Sequence, residues 1–334
     1  MRWKAGKDMH SHQGFAVVAE QLTKVFPTRN GKDIVSVDHL DLQVPSGQVF
    51  GFLGANGAGK TTTLKMACGL VTPSSGKVWI DGMLQGKHRR KIMPRIGVVL
   101  EGTRNVYWRL SAWENILYFG RLKGLWGRPL KRRATELLQG LALWERRHQV
   151  VRQFSRGMQQ KVAIACAMIA DPKIILLDEP TLGLDVHTTR TIKQWVTDLA
   201  GEQGKTVILT THQMRMAQEV CQSVGIIRNG KLIAHQPVKE LLSLFNVDHF
   251  TIRVKGKVQD ADREKLNGFK IEPGDDETRI SGTMPQQDVL YETLARLRQM
   301  GFPLLGVMKT EPDLEEAFVR MTGGPQYLLG GANG

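Results

Sequence analysis

One glycine-rich segment has the residue types and the spacing that hold a chain of phosphates. Residues 54–61 match the pattern G-x-x-x-x-G-K-[ST] at every fixed position. The glycines let backbone N–H groups turn inward toward phosphate oxygens at a helix N-terminus, where the helix dipole is positive. The ammonium of Lys60 would reach the terminal phosphates, and the hydroxyl of Thr61 would hold Mg²⁺. The segment therefore predicts a nucleotide site.

Two adjacent acids follow an apolar strand farther along the chain. Four apolar residues, 174–177, precede Asp178 and Glu179. A carboxylate at the end of such a strand positions the metal ion in P-loop ATPases, so Asp178 is predicted to be a Mg²⁺ ligand. Glu179 stands next to it, where a carboxylate can accept a proton from attacking water, and is predicted to be the general base. An ordinary strand end explains this cluster poorly.

The elements that must position these groups can be identified from hydrophobic patterns. A short apolar strand at residues 49–53 precedes the glycine-rich loop, and a segment of helical character follows at residues 61–68. Two further apolar strands, at residues 174–177 and 207–210, are each followed by a helical stretch. Strands that alternate with helices indicate a parallel sheet. The predicted core is therefore an α/β sheet.

Other regions complete the predicted architecture. Residues 16–50 alternate apolar and polar positions between turn signals, which predicts antiparallel strands, and residues 111–170 are mainly helical. We predict an α/β fold: a P-loop ATPase core with a mixed sheet, an inserted helical subdomain and an antiparallel β subdomain, plus a small C-terminal α+β domain. The predicted bounds are 16–245 for the ATPase domain, with the helical subdomain at about 102–170, 247–323 for the C-terminal domain, and 324–334 for a flexible tail.

Composition excludes several classes of protein. Of the 334 residues, 41% are hydrophobic and 23% charged, so disorder is excluded and two globular domains are expected. The longest near-apolar run, residues 162–170, is far shorter than the ~18 to 20 residues of a membrane-spanning helix. The N-terminus has positive charge but no apolar stretch, which predicts a cytoplasmic protein without a secretory signal. Cys68, Cys166 and Cys221 match no metal or redox motif and are expected to be buried, inert thiols.

The positive charge is concentrated in one region. The chain has a net charge of +14, and residues 82–161, here called the basic region, hold 18 Lys and Arg against four Glu. The rest of the chain has 28 basic and 28 acidic residues. A surface of one sign attracts nucleic acid, an acidic membrane surface or an acidic protein patch. Trp108, Trp113 and Trp126 lie in this region and belong either to a helical core or to a docking patch.

Three more motifs accompany these sites in a fixed order. Residues 154–161, here called the signature segment, lie before the strand that ends at Asp178. Residues 183–185 lie just after that strand, and His212 closes the next one. In this order the motifs strongly resemble those of the nucleotide-binding subunit of ATP-binding cassette (ABC) transporters. The resemblance covers about residues 16–240.

The resemblance implies roles for particular residues. In the family, two such subunits enclose two ATP molecules, each bound by the P-loop of one subunit and the signature segment of the other. Ser155 and Gly157 would then donate hydrogen bonds to the γ-phosphate across the dimer, and Asp185 would bridge the subunits. His212 would contact the γ-phosphate and position Glu179 and water.

The resemblance also implies the contacts of ATP within one subunit. Phe26 stands where the family stacks an aromatic ring on adenine, and a place in the hydrophobic core is the alternative for this side chain. The implied cofactors are ATP and Mg²⁺. The predicted ATP contacts of the P-loop are Gly54, Asn56, Gly57, Ala58, Gly59, Lys60, Thr61 and Thr62.

Two motifs depart from the family pattern. The usual signature is L-S-G-G-Q, whereas this chain has Arg156 and Met158 at the third and fifth positions, so a side-chain amide is lost. Where the family places a glutamine that touches Mg²⁺, this chain has Glu101, which is predicted to contact the metal directly or through water. The alternative is that Glu101 points to solvent or to a basic residue such as Arg104.

The resemblance implies an energy-coupling ATPase that dimerises on ATP and powers a separate membrane permease. Residues 102–110 and 311–318 are similar to the exporter branch, which carries drugs, lipids or polysaccharide intermediates outward. The expected partners are an integral membrane permease, a second copy or a related ATPase subunit, and an anionic membrane surface. No nucleic acid is expected, and the chain would be peripheral at the cytoplasmic face of the cell membrane. The competing hypothesis is a soluble ABC-type ATPase that acts on nucleic acid or ribosomes, which the basic region would also suit.

Overall fold

A computed structural model describes residues 12–28, 31–102, 105–244, 249–258, 266, 268–283, 287–310 and 313–322. The chain divides into two compact units, Met1–Val238 with Phe318–Gly334, and Lys239–Ala317. The last strand of the first unit is paired as far as Pro237, and the predicted domain boundary near residue 245 stays a prediction. Residues 245–248 and the predicted tail lie outside the described residues.

The described strands of the first unit form two sheets. They are β1 (Phe15–Phe26), β2 (Ile34–Pro45), β3 (Val49–Leu53), β4 (Ser75–Ile80), β5 (Met83–Leu84), β6 (Ile96–Val99), β7 (Ile174–Asp178), β8 (Thr206–Thr211), β9 (Ser223–Arg228) and β10 (Lys231–Pro237). One sheet is antiparallel, in the order β2-β1-β4-β5. The other has the order β10-β9-β3-β8-β7-β6, in which β10 is antiparallel to β9 and the other neighbours are parallel. The predicted fold class is confirmed.

Strand β3 lies inside the mixed sheet and is buried along its whole length. Its apolar side chains Phe50 and Phe52 belong to one hydrophobic cluster with Val17 of β1, Leu40 of β2 and Leu176 of β7. Full burial of a phenylalanine side chain contributes about 1.5 to 3 kcal/mol. Because the two sheets share this core, the loop that follows β3 is anchored to a well-packed strand.

The helices of the first unit include an insertion between β6 and β7. Inside that insertion, Ser111 and Glu114 form a capping box at the first of its helices: Glu114 N–H donates to Ser111 Oγ at 3.2 Å, and Ser111 N–H donates to Glu114 Oε2 at 2.7 Å. The described helices are α1 (Lys60–Ala67), α2 (Gln85–Ile92), α3 (Ala112–Leu122), α4 (Gly127–Gly140), α5 (Arg156–Met168), α6 (Val186–Gly201), α7 (Met214–Val220) and α8 (Val238–Ser243), of which α8 runs into the second unit.

The tryptophans of the basic region have different environments. Trp108 and Trp126 are 46% and 66% exposed, so neither belongs to the core. Trp113 is half-buried and packs edge-on against Trp144, with ring centroids 6.1 Å apart. Two of the three tryptophans are therefore exposed at the surface.

The second unit has its own small core. Its strands β11 (His249–Lys255), β12 (Lys270–Pro273), β13 (Glu277–Thr283) and β14 (Leu304–Thr310) form an antiparallel sheet in the order β12-β13-β11-β14. Ile252, Val254 and Ile280 of the sheet pack with Leu297 of α9 (Gln287–Gln299). A last helix, α10 (Leu314–Thr322), follows β14, and its residues from Phe318 onward belong to the first unit.

Two expectations from composition can be compared with the described residues. None of the described helices has the length and apolar character needed to cross a bilayer. Cys68, Cys166 and Cys221 are buried free thiols, as predicted. Burial raises the pKa of each of the three thiols, which keeps them protonated and unreactive at neutral pH.

Candidate functional site

The glycine-rich loop leads from β3 into α1 and needs glycine at two positions for different reasons. Gly59 has a left-handed φ of 110°, and a Cβ there would lie 2.4 Å from the backbone oxygen of Ser36. A Cβ on Gly54 would lie 2.6 Å from the backbone oxygen of Ile227. The loop lines a cleft of about 430 Å³, here called the P-loop cleft. Its lining residues are Ser36, Asn56, Gly57, Ala58, Gly59, Lys60, Thr61, Thr62, Glu101, Glu179, Leu182 and His212.

Lys60 is the buried cation of the cleft. Its Nζ donates to the backbone oxygens of Gly54 at 2.7 Å and Ala55 at 3.1 Å, and it lies 3.9 Å from Glu179 Oε1. Burial lowers the pKa of Lys60, and the negative charge of Glu179 opposes that shift. The ammonium is thus partly desolvated in advance, so it can interact strongly with phosphate oxygens.

Asp178 lies at the end of β7 and is held by two hydroxyl groups. Thr61 Oγ1 donates to Asp178 Oδ1 at 2.9 Å, and Thr210 Oγ1 donates to the same oxygen at 2.5 Å. Asp178 is almost completely buried. The strand end and the start of α1 therefore bring one carboxylate and one hydroxyl into direct contact.

The hydroxyl and the carboxylate suit Mg²⁺, which prefers oxygen ligands and usually binds proteins through one or two carboxylates together with substrate phosphates. Among the described residues, no group of three or more His, Cys, Asp or Glu side chains could hold a metal by itself. The residues fit a metal ion that arrives with a nucleotide rather than one held in an all-protein site.

Glu179 and His212 are in contact across the ends of β7 and β8. His212 Nδ1 lies 2.9 Å from Glu179 Oε1, and the Glu179 N–H is satisfied by Thr210. Glu179 has a left-handed φ of 47°, which is uncommon for a residue with a side chain and is found at functional sites. Glu179 lines the P-loop cleft.

Glu101 lies at the start of the loop that follows β6. Its backbone N–H is 3.5 Å from Asp178 Oδ2, and its exposed side chain borders the P-loop cleft. The backbone of Glu101 thus lies beside Asp178, whereas its side chain is exposed, and its contact with the metal stays a prediction. Arg104, the alternative partner of Glu101, lies outside the described residues.

Ser155, Gly157 and Asp185 form a second group. Ser155 Oγ accepts from Met158 N–H at 3.3 Å at the start of α5, and Asp185 accepts from Thr188 N–H at 2.8 Å at the start of α6. A Cβ on Gly157 would lie 2.8 Å from the Thr188 side chain, so α5 and α6 meet there. The hydrogen bonds from Thr188 hold the pKa of Asp185 below its usual value. These three residues do not line the P-loop cleft of their own subunit.

Phe26 ends β1 and is 38% exposed, which excludes the alternative of a core side chain. The ammonium of Lys24 lies 5.0 Å from the centroid of its ring. Phe26 does not line the P-loop cleft, and its contact with adenine stays a prediction.

Comparisons with known proteins identify the family. The family described as ABC transporter matches residues 37–182, and a domain of unknown function matches residues 249–308. The linearmycin resistance ATP-binding protein LnrL of Bacillus subtilis is 31% identical over 91% of this chain and 97% of its own length. This chain belongs to the ATP-binding subunits of ABC transporters. The daunorubicin/doxorubicin resistance ATP-binding protein DrrA of Streptomyces peucetius is 31% identical over 95% of each chain.

A solved structure supports the same conclusion about the ABC ATPase core. A dimeric ATP-binding cassette in a post-hydrolysis state, bound to ADP and Pi, is 29% identical with a TM-score of 0.62. The match covers 66% of this chain and 98% of that chain. As a member of the ABC family, the chain is an ATPase that powers a separate membrane permease. The hypothesis of a nucleic-acid or ribosome factor is not favoured by these relatives.

Sequence reasoning missed two residues of this ABC site. Thr210 donates to Asp178 because the two residues are register partners on the parallel strands β8 and β7. Ser36 on β2 donates to Thr62 Oγ1 at 2.8 Å and lines the P-loop cleft. The position of Thr210 at the end of an apolar strand could have identified it as a site residue. Nothing in the local sequence indicated that Ser36 belongs to the site.

Proposed function

We propose that this ABC ATPase drives the export of a drug, lipid or polysaccharide-type substrate, with Mg²⁺ as the metal cofactor. The observation that carries the proposal is the P-loop cleft, in which Lys60, Glu179 and His212 lie in a chain of contacts at 3.9 and 2.9 Å. The outward direction is supported by two relatives that align over more than nine-tenths of this chain and are named for antibiotic or drug resistance.

The residues of the cleft divide the work of hydrolysis. Backbone N–H groups of the P-loop and the Lys60 ammonium would bind the phosphates, and Phe26, which lies outside the cleft, would stack on adenine. Thr61, Asp178 and Glu101 would hold Mg²⁺, which would supply positive charge next to the phosphates. Glu179 accepts the proton of the attacking water. His212 orients Glu179 through the 2.9 Å contact and reaches the γ-phosphate.

A second ATPase subunit, either a copy of this chain or a related subunit, completes each site. Ser155, Gly157 and Asp185 lie at the first turns of α5 and α6, outside their own P-loop cleft. A helix N-terminus favours a negatively charged ligand. These residues are therefore suited to meet the γ-phosphate bound to the partner subunit.

Export can be measured with the chain and its permease in proteoliposomes that carry the ATPase on the outside. We expect ATP to drive fluorescent doxorubicin into the lumen, and we expect Glu179→Gln to abolish this uptake because the base is lost. Daunorubicin and linearmycin serve as competing probes in the same assay. ATP-driven movement out of the lumen, or ATPase activity that responds to none of the probes, would contradict an exporter of this class.

The basic region supports attachment to the cytoplasmic face of the cell membrane. It holds 18 Lys and Arg, and each one near an anionic surface contributes about 1 kcal/mol. We expect the purified chain to float with anionic liposomes at low salt and to be released at high salt, and not to float with neutral liposomes. Competition by RNA or DNA that is stronger than competition by lipid would instead favour nucleic acid as the partner.

A further inference from the structure

The first unit has a second cleft, which the ATP site does not use. It measures about 620 Å³, is larger than the P-loop cleft and shares no lining residue with it. Its wall comes from the start of β1, from β4 and β5, and from α2, and it is here called the β4–α2 cleft. Clefts of this size are typical sites for small molecules.

The charge on the wall of the β4–α2 cleft is mainly positive. The cleft is lined by four basic side chains, Lys77, Lys87, Lys91 and Arg95. Asp81 is the one acid among the described residues of the wall, and it already has two basic partners. It accepts a hydrogen bond from Arg95 and lies 3.6 Å from the Nζ of Lys173, which does not line the cleft. Asp81 therefore does not compensate the charges of the three lysines.

The three lysines have no acidic partner elsewhere. Their side chains are exposed, and in the part of the chain that the structure describes none of them forms an ion pair. Lys77 lies near a neutral ring instead, with its Nζ 5.9 Å from the centroid of Trp79. Lys87 and Lys91 both belong to α2. Because a concave wall of one sign focuses its electric field, an anion in the cleft is attracted by all three ammonium groups.

The wall of the β4–α2 cleft also has an apolar part. Phe15, Met83 and Leu84 line the cleft and are half-buried. Trp79 lies deeper, and its ring is 4.8 Å from the ring of His12. Half-buried apolar side chains lose more contact with water when an apolar group of a ligand packs on them. The cleft is therefore suited to a ligand that has both an anionic and an apolar part.

The type of anion follows from the number of cations. A phosphate monoester has a charge of about −1.5 to −2 at neutral pH and three acceptor oxygens, whereas a carboxylate has a single charge. Lysine is a common phosphate ligand in proteins. The residues before His12 include three basic residues and one acid, so the start of the chain does not supply the missing negative charge.

We propose that the β4–α2 cleft binds a phosphate monoester that carries an apolar group. A lipid with a phosphate headgroup and a soluble aromatic phosphate both have this chemistry. The lysines would contact the phosphate oxygens, and the apolar side chains would pack on the rest of the ligand. The site is separate from the P-loop cleft, so the proposal does not rest on the proposed function.

Isothermal titration of the full chain without nucleotide tests the site. The first probe is dihexanoyl phosphatidic acid, used at concentrations at which the lipid is monomeric and forms no bilayer. We expect it to bind at least about tenfold more tightly than dihexanoyl phosphatidylcholine, which has no net charge. It should exceed glycerol phosphate, which lacks the apolar chains, by a similar factor.

Substitutions assign the binding to the β4–α2 cleft. Lys87→Gln and Lys91→Gln should each weaken the binding of phosphatidic acid by about fivefold or more, because each removes one charge from the wall. Arg90→Gln is the matched control, since Arg90 is exposed on the same helix but does not line the cleft, and this variant should bind like the wild type. Lys60→Ala should also bind the probe like the wild type, because Lys60 belongs to the P-loop cleft.

Naphthyl phosphate distinguishes the two sources of the ligand. Tighter binding of phosphatidic acid than of naphthyl phosphate would assign the cleft to a lipid headgroup, and the reverse order would assign it to a soluble phosphate ester. Equal affinity for phosphatidic acid and phosphatidylcholine would overturn the proposal. The same holds if Arg90→Gln weakens binding as much as Lys87→Gln does. Flotation with anionic liposomes should persist in Lys87→Gln, because the basic region has many other cations, so attachment to membranes and binding in the cleft are tested separately.

Discussion

Glu179→Gln is expected to slow ATP hydrolysis by about 10² to 10⁴ while ATP binding is retained. The amide has nearly the shape of the carboxylate but cannot accept a proton from water. A glutamine at this position can adopt the same left-handed backbone conformation as Glu179, and its side chain can still reach His212. The site should therefore keep its geometry. ATP that binds and is not hydrolysed should accumulate in a closed dimer. Phosphate release at saturating ATP measures the rate of hydrolysis. Light scattering measures the molecular mass and so detects the dimer.

A matched substitution separates this effect from a general loss of carboxylate charge. Glu202 is exposed just after α6, and Glu202→Gln should hydrolyse ATP at the wild-type rate. Thermal unfolding of both variants should resemble that of the wild type. If Glu179→Gln turned over ATP as fast as the wild type, another group would have to be the base.

Lys60→Ala is expected to weaken ATP binding by about 10² or more, because a charged hydrogen bond to phosphate contributes about 1.5 to 3 kcal/mol and this side chain reaches two phosphates. Lys60 is the one basic residue of the P-loop motif. In the described structure its ammonium is buried and donates hydrogen bonds to two backbone oxygens of the loop. Phosphate oxygens of a bound nucleotide can replace these two acceptors. Isothermal titration with ATP and Mg²⁺ measures the loss.

Lys65 provides the control for Lys60. It lies on the same helix, α1, and does not line the P-loop cleft, so Lys65→Ala should bind ATP like the wild type. The Lys60 variant must remain folded for the comparison to hold, which circular dichroism can establish. Wild-type affinity in folded Lys60→Ala would mean that residues 54–61 are not the phosphate site.

The neighbours of a residue in space are harder to predict than its place along the chain. Glu101 could be placed after its strand from the sequence, but the residues around it could not. Those neighbours come from α5 and from β7, which are distant along the chain.

The sequence by itself determined the fold class, the family and the position of the P-loop and of Asp178 and Glu179. Those features depend on local chemistry, because a glycine-rich turn, an apolar strand and an acid at its end each lie within a few adjacent residues. Only the tertiary structure decided which side chains meet. The register of β7 with β8 aligns Thr210 with Asp178, which no motif indicated, whereas the contact of His212 with Glu179 was already implied by the family resemblance. Strand order and register are set by the packing of the whole core, which no local pattern contains.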